Sequence, residues 1–348
     1  MSDGNSEPEV LVERRGPGGR LGVLVLNRPR AINALTLGMG RTLTQQLTDW
    51  ADDPSIEAIV LTGAGDRGLC AGGDIVSIYR DAREGGRESE DFWREEYDLN
   101  ALIDDLPKPY VALMDGIVLG GGVGVSAHGS HRVVTERTRV GLPEVSIGFV
   151  PDVGSTWMLS HAPGELGTFC ALTAAHLDAG DAIEVGLADH FVESTDLPRL
   201  LELLETAEVE AALEQVAKPQ PPSRLAGQRD WIDQVFAGDD VAAILDRLGE
   251  VEEPGADKAL TAMRRNSPTS LAVALRALRS AARMSGLREA LDQEYVIAVH
   301  MLRGHDFPEG IRAAVIDKDR TPHWNPPTIA EVTPELVDTH FAPLEESR

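Results

Sequence analysis

Pro109-Tyr-Val-Ala-Leu-Met-Asp-Gly-Ile-Val-Leu-Gly-Gly-Gly-Val-Gly124 runs from an apolar strand signal into a cluster of glycines. Pro109–Asp115 has the short apolar run of a buried strand, and the glycines at 120–124 are expected to open a helix through Ala127. Glycine inside a helix costs about 0.5–1 kcal/mol relative to alanine. Four glycines within positions 120–124 therefore need a reason. Close helix packing is one. Access to backbone is the other, because the first N–H groups of a helix have no internal partner and lie at its positive end. Cys70-Ala-Gly-Gly-Asp74 repeats the arrangement where a loop enters a helix, with Asp74 as the expected N-cap. Two such loops suit a two-donor oxyanion hole, one N–H from each.

Downstream lies Pro143-Glu-Val-Ser-Ile-Gly-Phe-Val-Pro-Asp-Val-Gly154. Gly148 and Pro151 argue against a continuous helix, so the segment reads as a shaped loop. It offers two carboxylates, Glu144 and Asp152, eight positions apart and without a basic neighbour. Carboxylates in apolar surroundings are costly unless they are paired or working. Positioned carboxylates beside bare backbone N–H groups are what acyl-group chemistry requires.

Outward from these loops, strands are expected at Gly22–Asn27, Glu57–Gly63 and Arg132–Thr135, with helices at Thr36–Trp50, Asp74–Ala82 and Phe92–Asp105. This alternation argues for an α/β architecture through about residue 195. Residues 196–215 read as helical, and Lys218-Pro-Gln-Pro-Pro-Ser223 as a linker or exposed loop. Beyond it the periodicity is helical, at Asp240–Leu248, Ser270–Met284 and Gly286–Arg303, with a last short helix capped by Thr333. Residues 9–215 are thus expected to form an α/β core carrying the site, and residues 225–342 a helical region packing on it. Residues 1–8 are expected to lack order. Gly63-Ala-Gly-Asp-Arg-Gly68 matches a dinucleotide-binding pattern after a strand, but no helix opens at its third glycine, so it reads as a turn.

Composition narrows the function. The chain has 348 residues, 42% of them hydrophobic, and a formal net charge of -25. Such acidity disfavours nucleic acid and anionic membranes as partners. No apolar run reaches the roughly 18 residues of a membrane span. The polar, acidic start resembles neither a secretory signal nor a transit peptide, so a cytoplasmic protein is expected. The two cysteines, Cys70 and Cys170, allow no disulfide framework or multi-cysteine metal site. Cys70 has no histidine partner nearby in sequence and reads as small packing, and His305 reads as structural.

Several runs together resemble the crotonase (enoyl-CoA hydratase/isomerase) superfamily: Asn27-Arg-Pro…Asn33-Ala-Leu, Cys70-Ala-Gly-Gly-Asp74, Gly120-Gly-Gly122 and Pro143-Glu144. Further runs resemble its 3-hydroxyisobutyryl-CoA hydrolase branch: Arg94-Glu-Glu-Tyr97, Gly148-Phe-Val-Pro-Asp-Val-Gly154, Arg303-Gly-His-Asp-Phe307, and Ile316-Asp-Lys-Asp319 before Pro322-His-Trp324. The resemblance covers about residues 10 to 341. It implies a (ββα)n spiral core with a helical C-terminal region, and hydrolysis of a short β-hydroxyacyl-CoA thioester, as in valine catabolism. It implies Glu144 and Asp152 as the catalytic pair, Gly73 and Gly121 as oxyanion donors, and Glu96 as a contact to the acyl hydroxyl. Hydratases carry a second catalytic glutamate where this chain has Gly124, and a small residue where it has Asp152. Adding Gly124→Glu to Asp152→Gly is expected to allow some crotonyl-CoA hydration. Asp152 is expected near a helix N-terminus that favours its ionised form. Glu144 is left either to attack the carbonyl or to activate water. No metal or cofactor is expected, coenzyme A being part of the substrate, and Arg28 and Arg30 are the first candidates for its phosphates. Hydratase relatives form trimers and trimer pairs, an assembly the helical tail could cover. The alternatives are an enoyl-CoA hydratase or isomerase, and a non-catalytic acyl-CoA binder.

Overall fold

Among the described residues, ten strands form two sheets, and consecutive strands tend to enter different ones. They are β1 (Val10–Arg15), β2 (Leu21–Leu26), β3 (Ala58–Gly63), β4 (Gly68–Cys70), β5 (Tyr110–Met114), β6 (Ile117–Leu119), β7 (His131–Val134), β8 (Arg139–Gly141), β9 (His176–Leu177) and β10 (His190–Phe191). The computed structural model describes residues 7–344, so the expectation for residues 1–8 falls, for 1–6, outside the described residues. The larger sheet has the order β1-β2-β3-β5-β7-β10 and the smaller β4-β6-β8-β9. All pairings are parallel except β1 with β2 and β8 with β9. Three successive turns of the chain, β3–β4, β5–β6 and β7–β8, each place one strand in each sheet. The result is the expected spiral.

The larger sheet is buried on both faces, as a parallel sheet requires. Leu21, Val23, Val60, Val111 and Val133 on one face meet Leu200, Leu204 and Leu213 of the helices Leu197–Leu204 and Val209–Val216. Leu24, Leu26, Ile59 and Leu61 on the other face join the main core, which continues into the C-terminal helices. The expected strands and helices are present with shifted ends. Thr36 caps Leu37–Asp52 by accepting the Met39 N–H, and Asp74 caps Ile75–Glu84 from Ser77.

Four differences have local causes. The helix expected from Phe92 begins at Glu88, because the Asp81 carboxylate accepts the N–H groups of Glu88 and Ser89 at 3.2 and 2.8 Å. The glycine-rich helix is only Gly121–Gly124, followed by turns. Residues 196–215 break into two helices. The smaller sheet was not foreseen, since strands of two or three residues are too short to show a period. Gly63–Gly68 is the turn between β3 and β4, as expected.

The C-terminal helices dock on the loop that carries the two carboxylates. Pro268–Ala281 packs on Ser155–Ser160, and Leu287–Arg303 on Glu88–Asp104. The short helix Asp306–Ile311 lies backbone to backbone against residues 147–148. A Cβ on Gly148, whose φ is +77, would stand 2.3 Å from the Asp306 carbonyl, and one on Gly310 would stand 2.1 Å from that of Ile147. The Asp306 carboxylate ties this junction by accepting the Ser267 hydroxyl at 2.6 Å and the Asn325 N–H at 2.8 Å.

Candidate active site

Asn33 fixes the first glycine loop. Its buried amide donates to the carbonyls of Ala64, Gly68 and Leu69, each at 3.1 Å, and its Oδ1 accepts the Arg28 N–H at 2.9 Å. That holds the 27–35 turn against β4. Leu35 then brackets Gly73, donating to the Gly72 carbonyl at 2.8 Å and accepting the Asp74 N–H at 2.9 Å. The Gly73 N–H is left without an acceptor among the described residues. The same holds for Gly121, the first residue of its short helix. The two loops are adjacent: a Cβ on Gly121 would lie 3.4 Å from the Gly73 nitrogen and 2.4 Å from Glu96 Oε1.

A cavity of about 430 Å³ gathers Gly73, Glu96, Gly121, Glu144 and Asp152, all five residues singled out from the sequence. Two larger clefts, each about 510 Å³, include none of them. The lining is otherwise largely apolar and extends beyond the α/β part to Phe307, Ala314 and Val315. Glu144 sits in the 3-10 turn Glu144–Ile147, with an oxygen 2.9 Å from where a Cβ on Gly120 would stand. Glu96 lies on the helix Glu88–Asp104.

All three carboxylates are at most 6% exposed. Burial pushes the Glu144 carboxyl well above the ordinary range, and the charges of Asp152, Glu294 and Glu96 add to the effect. Burial followed by the Asp152 charge raises Glu96 in the same way. Asp152 is pushed up to about 7 by burial, against a Tyr97 hydroxyl that donates to its Oδ2 at 2.7 Å. Glu144 Oε2 and Glu96 Oε1 are buried and have no hydrogen-bond partner among the described residues. Among the described residues no group of three or more His, Cys, Asp or Glu side chains is disposed to hold a metal ion.

Three expectations need correction. Asp152 does not take the helix N-terminus. The first N–H groups of Ser155–Ser160 are received by Glu294, which accepts from Gly154 at 2.6 Å and from Thr156 N at 3.0 Å and its hydroxyl at 2.5 Å. Asp152 is left with Tyr97 and a carboxyl raised rather than lowered. Position 124 is not vacant space for a carboxylate, because a Cβ there would lie 2.7 Å from the Val153 Cβ and 2.9 Å from the Asn100 amide nitrogen. Arg28 is not free for a ligand. It pairs with Asp74 at 3.0 Å and Glu9 at 3.1 Å and donates to the Ala34 carbonyl, whereas Arg30 is exposed beside Ala31 at the cavity rim.

Sequence reasoning missed Tyr97 and Glu294. Tyr97 falls on the helical stripe of Trp93 and Ala101, where an aromatic reads as packing. Glu294 stands out more: Leu287, Ala290, Leu291, Ile297, Ala298 and Met301 make an apolar helical stripe, and Glu294 falls on it. Burial pushes Glu294 up to about 8 despite its three donors. Cys70 is buried packing, its thiol pushed up to about 12 by desolvation. His305 stands by Asp306 at 3.1 Å and does not line the cavity.

The family described as enoyl-CoA hydratase/isomerase matches residues 21–341. A Danio rerio protein named 3-hydroxyisobutyryl-CoA hydrolase, mitochondrial, is 39% identical over 361 residues, covering 99% of this chain and 92% of its own. A crystal structure described as a carnitinyl-CoA dehydratase from Mycobacterium thermoresistibile superposes with a TM-score of 0.94 at 47% identity, covering 97% of this chain and 98% of the other. One described as an enoyl-CoA hydratase from Rhodobacter sphaeroides 2.4.1 gives 0.90 at 42%, with the same coverage.

Proposed function

This chain belongs to the enoyl-CoA hydratase/isomerase family, and within it we propose that it hydrolyses the thioester of 3-hydroxyisobutyryl-CoA to the free acid and coenzyme A. It is an acyl-CoA thioester hydrolase, with the acyl-CoA as its small-molecule partner. The observation that carries the reading is a juxtaposition. Glu144 and Asp152 share a cavity with two unengaged glycine N–H groups, while the space at Gly124 is filled by Val153 and Asn100.

The thioester carbonyl oxygen accepts from the N–H groups of Gly73 and Gly121, which stabilise the charge that grows there; one such donor is worth about 2.7–4 kcal/mol. Glu144 works at the carbonyl carbon, the C–S bond breaks, and coenzyme A leaves as its thiolate. Tyr97 keeps Asp152 in place beside Glu144, where it handles the proton that the incoming water gives up. The unpartnered oxygen of Glu96 meets the substrate hydroxyl, and Arg30 at the rim meets the coenzyme phosphates. The chemistry draws on these side chains and on the two backbone N–H groups. We place the reaction in valine breakdown and keep the cytoplasmic location expected from sequence; no described helix is long and apolar enough to cross a membrane. Cell fractionation tests that location.

The deciding assay follows thiol release from 3-hydroxyisobutyryl-CoA and loss of the enoyl absorbance of crotonyl-CoA with the same protein. Thiol release is expected, and Glu144→Gln is expected to lower it by about 10²-fold or more, since the amide can neither accept a proton nor attack. Hydration of crotonyl-CoA without thiol release would replace this reading by the hydratase one. Label on Glu144 after a single turnover in heavy-oxygen water shows that it attacks the carbonyl and that water then opens the anhydride at the glutamyl carbon.

A further inference from the structure

We propose that Trp93, Phe149 and Phe307 form an aromatic wall that restricts the acyl group to a short chain, with Phe307 as a specificity-determining residue supplied by the C-terminal region. This rests on the hydrolase reading above.

The cavity has two unlike ends. Ala31 and Ala314 are exposed and mark the mouth. Trp93, Phe149 and Phe307 line the same cavity but are only 2%, 3% and 2% exposed, so they belong to its buried part, away from the mouth. Coenzyme A is too large for about 430 Å³ and must extend out of the mouth. With the thioester carbonyl held at Gly73 and Gly121, the acyl carbons then point inward, toward the rings.

The wall is built not to yield. Phe149 stacks on Phe307 at 4.4 Å between ring centroids and on Trp93 at 5.2 Å, and Trp93 lies 6.2 Å from Phe307. Such contacts add to the burial of each ring. Behind them the backbone is clamped, since Gly148 abuts the Asp306 carbonyl and Gly310 that of Ile147. The wall is also coupled to the carboxylates. Trp93 precedes Glu96 by one helical turn, and the Phe149 N–H donates to the Glu144 carbonyl at 3.0 Å. An acyl chain longer by a methylene or two must displace a ring that has nowhere to go.

The test compares kcat/KM for thiol release from 3-hydroxyisobutyryl-CoA, 3-hydroxyhexanoyl-CoA and 3-hydroxyoctanoyl-CoA in the wild type, Phe307→Leu and Phe149→Leu. The ratio between substrates is read, because it does not depend on how much of a variant is folded. The wild type is expected to favour the shortest substrate by about 10-fold or more, the scale of one methylene in an apolar pocket. Phe307→Leu and Phe149→Leu are expected to narrow that preference by about 10-fold. Equal use of all three thioesters by the wild type overturns the wall while leaving the hydrolase reading intact. So does a preference that stays within about two-fold of the wild type in both variants. Absence of thiol release from every thioester overturns the hydrolase reading, and the wall with it.

Discussion

Tyr97 donates the one side-chain hydrogen bond that Asp152 receives among the described residues, and it does so inside a cavity where carboxylates outnumber their donors. Burial, joined at Glu144 and Glu96 by the charge of Asp152, and not pairing with a cation, therefore sets how Glu144, Asp152 and Glu96 titrate, and their protons leave in linked steps. An ionised carboxylate is needed at the carbonyl. Hydrolysis is thus expected to rise with pH along a limb above the ordinary carboxylate range. The Tyr97 bond favours ionised Asp152, so Tyr97→Phe should raise the Asp152 pKa further from about 7 and move the limb to higher pH. A pH–rate profile of kcat/KM checks this, and an unmoved limb would show that Asp152 does not control it. Position 124 gives a second residue-scale expectation. Gly124→Glu must push Val153, the neighbour of Asp152, and bury a carboxylate beside Asn100. The variant should lose at least the about 1–3 kcal/mol usual for overpacking and gain no crotonyl-CoA hydration. Thermal melting and the enoyl absorbance report the two parts separately.

At the scale of elements, the long helix Leu287–Arg303 reaches the loop after Asp152 through the Glu294 carboxylate, with Leu287 against Gly154 beside it. Glu294 receives the N–H groups of Gly154 and Thr156, and so orients the backbone that carries Asp152 and Val153. Its carboxyl rises from 4.5 to about 8 on folding. A group raised in the folded state binds its proton more tightly there. Its contribution to stability is complete below about pH 4.5 and is lost as pH rises through about 8. Glu294→Gln removes that titration, so the fall of Tm between those limits should be shallower in the variant. The amide also turns an N–H group toward a backbone donor, which should lower overall stability by about 1–3 kcal/mol. Melting curves across pH measure both, and parallel curves for the two proteins would refute the assignment.

For the whole molecule, the question is what the C-terminal region does for the α/β part. The cavity takes Phe307, Ala314 and Val315 from it, and the carboxylate loop takes Glu294 and the packing of Asp306–Ile311. A chain ended at residue 217 should therefore release no thiol and should melt without a cooperative transition. Cooperative melting with retained hydrolysis would make the region a mere appendage. By itself the sequence determined what is local. Strand and helix periods, the caps at Asp74 and Thr333, both glycine loops and the two uncompensated carboxylates were legible, because each depends on residues a few positions apart. Only the tertiary structure decided the rest. It paired Tyr97 with Asp152 across 55 positions and Glu294 with Gly154 across 140, filled the space at Gly124, and turned Arg28 from a free cation into a brace for Asp74. These are contacts between segments whose distance is set by packing of the two sheets and the C-terminal helices, and no spacing along the chain encodes it.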